Sequence, residues 1–407
     1  MTLFYSIINM SLFKIINTEI ANEEKNRIFK NDYSMYLRVE EDVPHLTLLK
    51  YFKNNKSSEC YNDVSVQCRG LVYDNELNEI RCFPPERANS YEDFMGFVGD
   101  NWGDVIVEDF IDGTMINVFY DKKQKKHLIS TRSRIGAKCY WNSDKTFEEM
   151  FNEIIVRDNI DFTSMDLDTC YTFVLKYPSN RIVVKHTTPD IVLVCARKLY
   201  SDRYENLDLV DIQSKFKSLD MNINIPERFT FSTVEEMEAS TQTQDISKQG
   251  FVLKYNNYRT KIRNPEYIHV KSLKSNSPYL INTYLDLRKK RNVGEFLKHF
   301  EEYKSIFSKF REDIHQITYE IYNWYINSYK LKYYSRDSIP YQYKPHCGNL
   351  HKQYKKSVEN KKKRAIVLKD VISYVNSLPT YSLVFIRNYY LNDKKNKFTE
   401  LQVQQAE

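Results

Sequence analysis

Between about residue 60 and residue 270 the apolar positions fall in short β-branched and aromatic runs: Val105–Val107, Met115–Tyr120, His127–Thr131, Tyr171–Leu175, Arg181–Val184, Ile191–Ala196, Phe251–Tyr255 and Lys261–Arg263. Runs of this length, set apart by Asn, Asp, Gly and Lys, predict strands of antiparallel sheets, because successive side chains of a strand face opposite ways and turn residues mark its ends. Helical spacing interrupts them at Phe147–Val156, Leu207–Leu219 and Val234–Ser240, so the region reads as α+β. The polar stretch 235–248, EMEASTQTQDISKQ, reads as a solvated connection.

Past about residue 275 the period changes. Long amphipathic segments follow, Val293–Tyr329, Lys352–Lys363, Ala365–Ser377 and Tyr381–Tyr390, with Pro340, Pro345 and Pro379 as breakers. The expected organisation is a lead-in and domain start at 1–59, an α+β domain at 60–274 and an all-α domain at 275–407. The lysine run 360–364 reads as a solvated helix end.

Charge sharpens this division. Residues 271–407 hold 26 Lys and Arg against 13 Asp and Glu, a net +13, and 16 tyrosines; the rest of the chain is −7. AT-rich coding would enrich lysine everywhere and would not leave the first two thirds acidic, so the basic end points to a polyanionic partner. With 407 residues and 42% hydrophobic content the chain can bury a sizeable core.

The start of the sequence, broken by Asn9, Lys14 and Asn17, reads as neither signal peptide nor membrane span. Cys60, Cys68, Cys82, Cys139, Cys170, Cys195 and Cys347 are odd in number and never spaced as CxxC, which fits a reducing, cytoplasmic compartment. His346, Cys347 and His351 lack a nearby fourth ligand, so no metal is assigned to them.

Five segments carry candidate chemistry. They are Cys68-Arg69-Gly70-Leu71-Val72-Tyr73-Asp74, Val107-Glu108-Asp109-Phe110-Ile111-Asp112-Gly113-Thr114, Ser130-Thr131-Arg132-Ser133-Arg134-Ile135-Gly136, the stretch from Tyr171 to Val184, and Lys248-Gln249-Gly250-Phe251-Val252 with Lys261-Ile262-Arg263. In this order and spacing they resemble the covalent nucleotidyltransferases, most closely the phage-type RNA ligases that repair tRNA. The most specific stretch is Pro178-Ser179-Asn180-Arg181-Ile182-Val183-Val184 following Phe173.

The resemblance implies an adenylation-domain fold of antiparallel sheets with flanking helices and a helical C-terminal domain for tRNA. It assigns nucleotide or phosphate contacts to Arg69, Asp112, Gly113, Arg132, Arg134, Phe173, Arg181, Lys261 and Arg263. It also exposes departures. Phe110 stands where the family has its lysine nucleophile, Val174 where a carboxylate holds the ribose, and Gln249 where a carboxylate holds the metal.

Adenylation needs a deprotonated amine to attack an α-phosphate, and a metal to neutralise the charge that develops. ATP and Mg would be the ligands of a fully retained pocket; with nucleophile and carboxylates gone, no cofactor and no metal ligand is assigned. The expected function is RNA binding without turnover, with tRNA as partner, as a shield against an anticodon nuclease. Two other readings stay open: an active ATP-dependent RNA ligase with a distant nucleophile, and an interaction protein on an inherited ligase scaffold.

Overall fold

Alternation of inward and outward side chains along antiparallel strands builds the first part of the chain. The computed structural model describes residues 12–52, 62–141, 143–275, 277–360 and 365–392. Cys60, residues 1–11 and Lys361–Arg364 of the basic run lie outside them. The chain divides into two compact units, Met1–Lys271 and Ser272–Glu407.

In the first unit, β1 (Met35–Arg38), β2 (Leu46–Tyr51), β3 (Arg69–Asp74) and β4 (Glu79–Cys82) form one sheet in that order. A second sheet has the order β10-β9-β8-β6-β7, from β6 (Thr114–Asp121), β7 (Lys126–Ser130), β8 (Thr169–Lys176), β9 (Asp190–Leu199) and β10 (Tyr204–Asn206). The third has the order β11-β5-β12-β13, from β5 (Ile106–Asp109), β11 (Arg228–Phe229), β12 (Gly250–Tyr255) and β13 (Tyr258–Arg263). Every pair among these strands is antiparallel, as the short apolar runs set apart by turn residues predict.

The second sheet buries Ile116, Val118, Tyr171, Phe173 and Leu175 against helices Phe147–Arg157 and Leu209–Ser218. The first of these helices starts where the sequence places a capping box. Thr146 Oγ1 accepts from the Glu149 amide at 3.1 Å, and Glu149 Oε2 accepts from the Thr146 amide at 2.6 Å. The third sheet buries Val107, Phe251 and Leu253 against Phe94, Val98 and Met237.

Two expectations are corrected here. Arg181–Val184 forms no strand: after a 3-10 turn at Pro178–Asn180, the Val183 and Val184 amides donate to the Asp112 carboxylate at 3.1 and 2.8 Å instead of to a neighbouring strand. The stretch 235–248 is not all solvated connection, because Val234–Gln242 is a helix whose Met237 is fully buried. Within the lead-in and domain start at 1–59, residues 35–51 supply two strands of the first sheet.

The second unit is helical. Val293–Tyr329 is not continuous: Val293–His299 ends at Phe300, a 3-10 turn follows at Glu301–Tyr303, and Lys304–Tyr325 resumes. Phe307, Ile314, Ile317, Ile321 and Tyr325 recur at helical spacing and are buried. Pro345 opens the helix Lys344–Glu359 instead of breaking it, since a proline in the first turn gives up an amide that has no partner there. The helices Leu280–Lys290 and 380–392 complete the unit together with Leu368–Ser377.

The close approach of β12 to β13 depends on Gly250, whose φ is +122° and where a Cβ would lie 2.1 Å from the Ile262 carbonyl oxygen. Gly250→Ala is expected to destabilise the protein by roughly 2–4 kcal/mol through backbone strain and overpacking, read as a lower urea midpoint at unchanged slope.

Candidate functional site

Strand alternation decides what faces the space between the second and third sheets. On β8, Phe173 and Leu175 enter the core, which turns Val174 the opposite way. On β5 and β12, Val107, Phe251 and Leu253 enter the other core, which turns Glu108, Val252 and Lys254 inward. Val252 is registered with Glu108 on one side and Lys261 on the other, so these three share a face. Arg259, Lys261 and Arg263 alternate along β13 onto that face as well.

The result is a cavity of about 230 Å³, lined by Arg69, Phe110, Asp112, Val174, Gln249, Lys261, Arg263 and their neighbours. Phe110 is fixed by its amide, which donates to the Gly250 carbonyl at 2.9 Å. Its ring receives Lys261 Nζ at 4.7 Å and the Arg263 guanidinium at 5.7 Å from the centroid. An aromatic face attracts a cation such as the Arg263 guanidinium by roughly 0.5–2 kcal/mol, so Phe110 is a partner of that cation and not an inert filler.

Positive charge dominates the cavity. Burial, reinforced by Arg259, Arg69, Arg263 and Lys271, pushes the Lys261 amine from its ordinary 10.5 down to about 5. Burial and then Arg69 bring Arg259 from 12.5 down to about 10. Arg69 and Lys271 are lowered too, burial being the main cause in each. Arg69 Nη1 is buried without a hydrogen-bond partner.

The acids nearby are already engaged. Glu108 pairs with Lys254 at 2.5 Å and with Arg228 at 3.4 Å, and Asp109 pairs with Lys248 at 2.8 Å. Asp112 accepts from the Val183 and Val184 amides and from the Tyr267 hydroxyl at 2.8 Å. A divalent metal beside a nucleotide needs oxygen ligands, commonly carboxylates, to hold it. Val174 supplies no oxygen and Gln249 only an uncharged amide oxygen, so these two positions lack the carboxylates that the ATP and Mg pair of a complete ligase pocket would need.

Of the residues singled out in the sequence, Arg69, Phe110, Asp112, Gly113, Val174, Gln249, Lys261 and Arg263 come together at this cavity. Asp112 acts there as an anchor for loop and helix. Gly113 is required by close approach, since a Cβ would lie 2.4 Å from the Leu175 carbonyl oxygen.

Arg132, Arg134, Phe173 and Arg181 are not among its lining residues. Arg132 stacks on the Tyr51 ring at 4.6 Å and Arg134 pairs with Glu40 at 3.3 Å. Phe173 is fully buried in the core, and Arg181 Nε donates to the Val183 carbonyl at 2.8 Å.

Sequence reasoning missed Arg259, Lys254, Lys271 and Glu108, all of which line the cavity. The signal for Arg259 was present, for it stands two residues before Lys261 on one strand and therefore on the same face.

No family model and no curated protein matches the chain. Among solved structures, a putative ATP-dependent DNA ligase from Aquifex aeolicus is similar at 14% identity over 74% of this chain and 81% of that one, with a TM-score of 0.42. An archaeal ATP-dependent RNA ligase is similar at 14% identity over 74% and 73%, with a TM-score of 0.41. A Naegleria gruberi RNA ligase with ATP and Mn gives 13% identity and a TM-score of 0.35 over 46% of this chain. The chain spans 56% of the length of that enzyme.

The lowered Lys261 carries a stability prediction. Between about pH 5 and its ordinary 10.5 the unfolded amine holds a proton that the folded one has given up, so its contribution to stability rises with pH through that window. Lys261→Met is expected to stabilise the ligand-free protein at pH 7 by about 1–3 kcal/mol and to flatten this dependence. Urea midpoints measured across pH check it; a midpoint lowered at pH 7 would contradict the burial argument.

Proposed function

We propose that the protein is a catalytically degenerate, RNA-ligase-like protein of the cytoplasm that binds RNA, tRNA foremost, and shields it from an anticodon nuclease as an immunity or antitoxin protein would. The observation that carries this reading is the convergence of ligase-like segments spread from Arg69 to Arg263 on one cavity that has kept its cations. A site built this way grips phosphates, and Phe110 occupies the position where the ligase pattern has its nucleophile.

The basic second unit supports the RNA part of the reading. Its tyrosines divide into two sets: Tyr284, Tyr325 and Tyr343 are buried in its interior, while Tyr333 (74%), Tyr341 (71%) and Tyr381 (77%) stand exposed. Tyr341, Phe385 and Tyr389 cluster at the surface with ring centroids 4.8–6.4 Å apart. Exposed rings interleaved with lysines offer stacking for unpaired bases beside phosphate contacts.

Incubation with α-labelled ATP and Mg is expected to leave the protein unlabelled. Phe110→Lys alone is expected to stay unlabelled too, because it adds an amine to a cavity without metal or ribose carboxylates. Acid-stable label on a peptide from residues 100–120 of either protein would favour the active-ligase reading instead.

Binding of tRNA to the full chain is expected to fall by about three to five orders of magnitude between 50 and 200 mM salt, if roughly six to ten phosphates are neutralised. Lys330, Lys332, Lys352 and Lys355 are exposed in the second unit. Replacing them by Gln should flatten the slope of log affinity against log salt by up to about 0.7 for each phosphate that is no longer neutralised. An unchanged slope would remove the second unit from the RNA-binding surface.

A further inference from the structure

Away from the cavity, three buried polar side chains meet at the far end of strands that run to it. His45 stands just before β2, Asp74 ends β3 and Asp121 ends β6. The length of β6, at ~3.3 Å per residue, sets Asp121 roughly 23 Å from Thr114, which follows Gly113 of the cavity. The three residues are 4%, 1% and 0% exposed, and each brings a ligating atom within 4.8 Å of the other two. His45 Nε2 lies 3.0 and 3.1 Å from the two oxygens of Asp121.

Charge sets this cluster apart from an ordinary buried network. Two buried carboxylates share one imidazole, and among the described residues neither pairs with a lysine or arginine. Lys122 and Lys123, which follow Asp121 in the chain, pair with Glu79 and Glu76 instead. Asp74 takes both of its hydrogen bonds, from the Glu76 and Leu77 amides at 2.9 Å, on Oδ1. Among the described residues nothing donates to its Oδ2. A carboxylate buried in this way beside a second one is costly unless a cation joins them.

The donor set selects the ion. Donors bound to one zinc ion at about 2.0–2.2 Å stand roughly 3–4.4 Å apart, a range that contains the His45–Asp121 contacts and that the 4.8 Å limit only slightly exceeds. An imidazole nitrogen suits zinc and its first-row neighbours, whereas Mg and Ca take oxygen ligands. Mg also keeps several waters, at odds with side chains this buried. His45 Nε2, one oxygen of Asp74 and both of Asp121 supply four donors, the number a closed structural zinc site uses.

We propose that His45, Asp74 and Asp121 hold one zinc-class divalent ion that fastens the first sheet to the second, independently of what the cavity binds. Nε2 binds through its lone pair, so the imidazole carries its hydrogen on Nδ1; no electron is transferred. His45 and Asp74 belong to the first sheet's edge and Asp121 to the second sheet, so the ion joins turns that are far apart in the chain. Such a clip stabilises the folded state by as much as it is bound there and not in the unfolded chain.

Metal binding by the full chain, stripped beforehand with chelator, tests this. Equilibrium dialysis against zinc chloride, with elemental analysis of both compartments, is expected to give about one tightly held zinc per chain that Asp121→Asn loses. At free zinc a hundred times the dissociation constant, the thermal midpoint of the wild-type protein should rise by roughly 5–10 °C, while that of Asp121→Asn stays in place. Magnesium chloride at the same concentration should leave both unchanged.

Should Asp121→Asn not fold, Asp74→Asn is read in the same way. Cobalt(II) on the wild-type protein needs no variant: its visible bands should appear without the near-ultraviolet charge-transfer absorption of thiolate ligands. Four outcomes each overturn the proposal: no zinc held by the wild-type protein, zinc held in full by the variant, an equal shift from magnesium, or a thiolate band, which would put the ion at a cysteine such as Cys347.

Discussion

Mutual repulsion among cations crowded between two sheets is the constraint around which the cavity of the first unit is arranged. Arg259, Lys261 and Arg263 lie on one face of β13 because a strand repeats every two residues, and Arg69 and Lys271 arrive from other elements. Burying charges near one another is costly unless they are paired or lose their protons. The protein answers with two devices. Burial and the neighbouring cations push the Lys261 amine down to about 5, and the Phe110 ring lends its negative face to the Arg263 guanidinium.

Asp112 holds the other wall in place. One carboxylate oxygen gathers the amides of Val183 and Val184, and the other takes the hydroxyl of Tyr267, itself fully buried. Its backbone carbonyl meets His186 Nε2 at 3.1 Å. The loop after β5, the segment after β8 and the helix bearing Lys271 are thus tied at one residue. This is why Ile182 lines the cavity although the segment from Arg181 to Val184 pairs with no strand.

The sequence made the strands legible wherever apolar residues alternated, and the site legible wherever a motif fixed residue type and spacing. It failed where a side chain substituted for a backbone partner: the run Arg181–Val184 has strand composition, but its amides go to Asp112, a long-range bond that no local pattern contains. Phe173 and Val174 show the same limit from the other side. Spacing names both, and only the sheet's orientation sends the ring into the core and the valine to the cavity. Arg132 and Arg134 sit in a motif-like stretch, yet the β6–β7 hairpin carries them toward Tyr51 and Glu40.

On the proposed reading of Phe110, Val174 and Gln249 as departures from the ligase pattern, the three act on one electrostatic balance. Exchanging a lysine for Phe110 removes a positive charge, while placing Val174 and Gln249 where carboxylates would stand removes two negative ones, so the cavity becomes more positive on balance. A metal-bearing ligand brings part of its own neutralisation and needs those carboxylates; a bare polyanion brings none and is opposed by them. The three substitutions together therefore shift the cavity from ligands that arrive with a cation toward ligands that arrive without one. Each is more intelligible as part of that shift than as a separate loss.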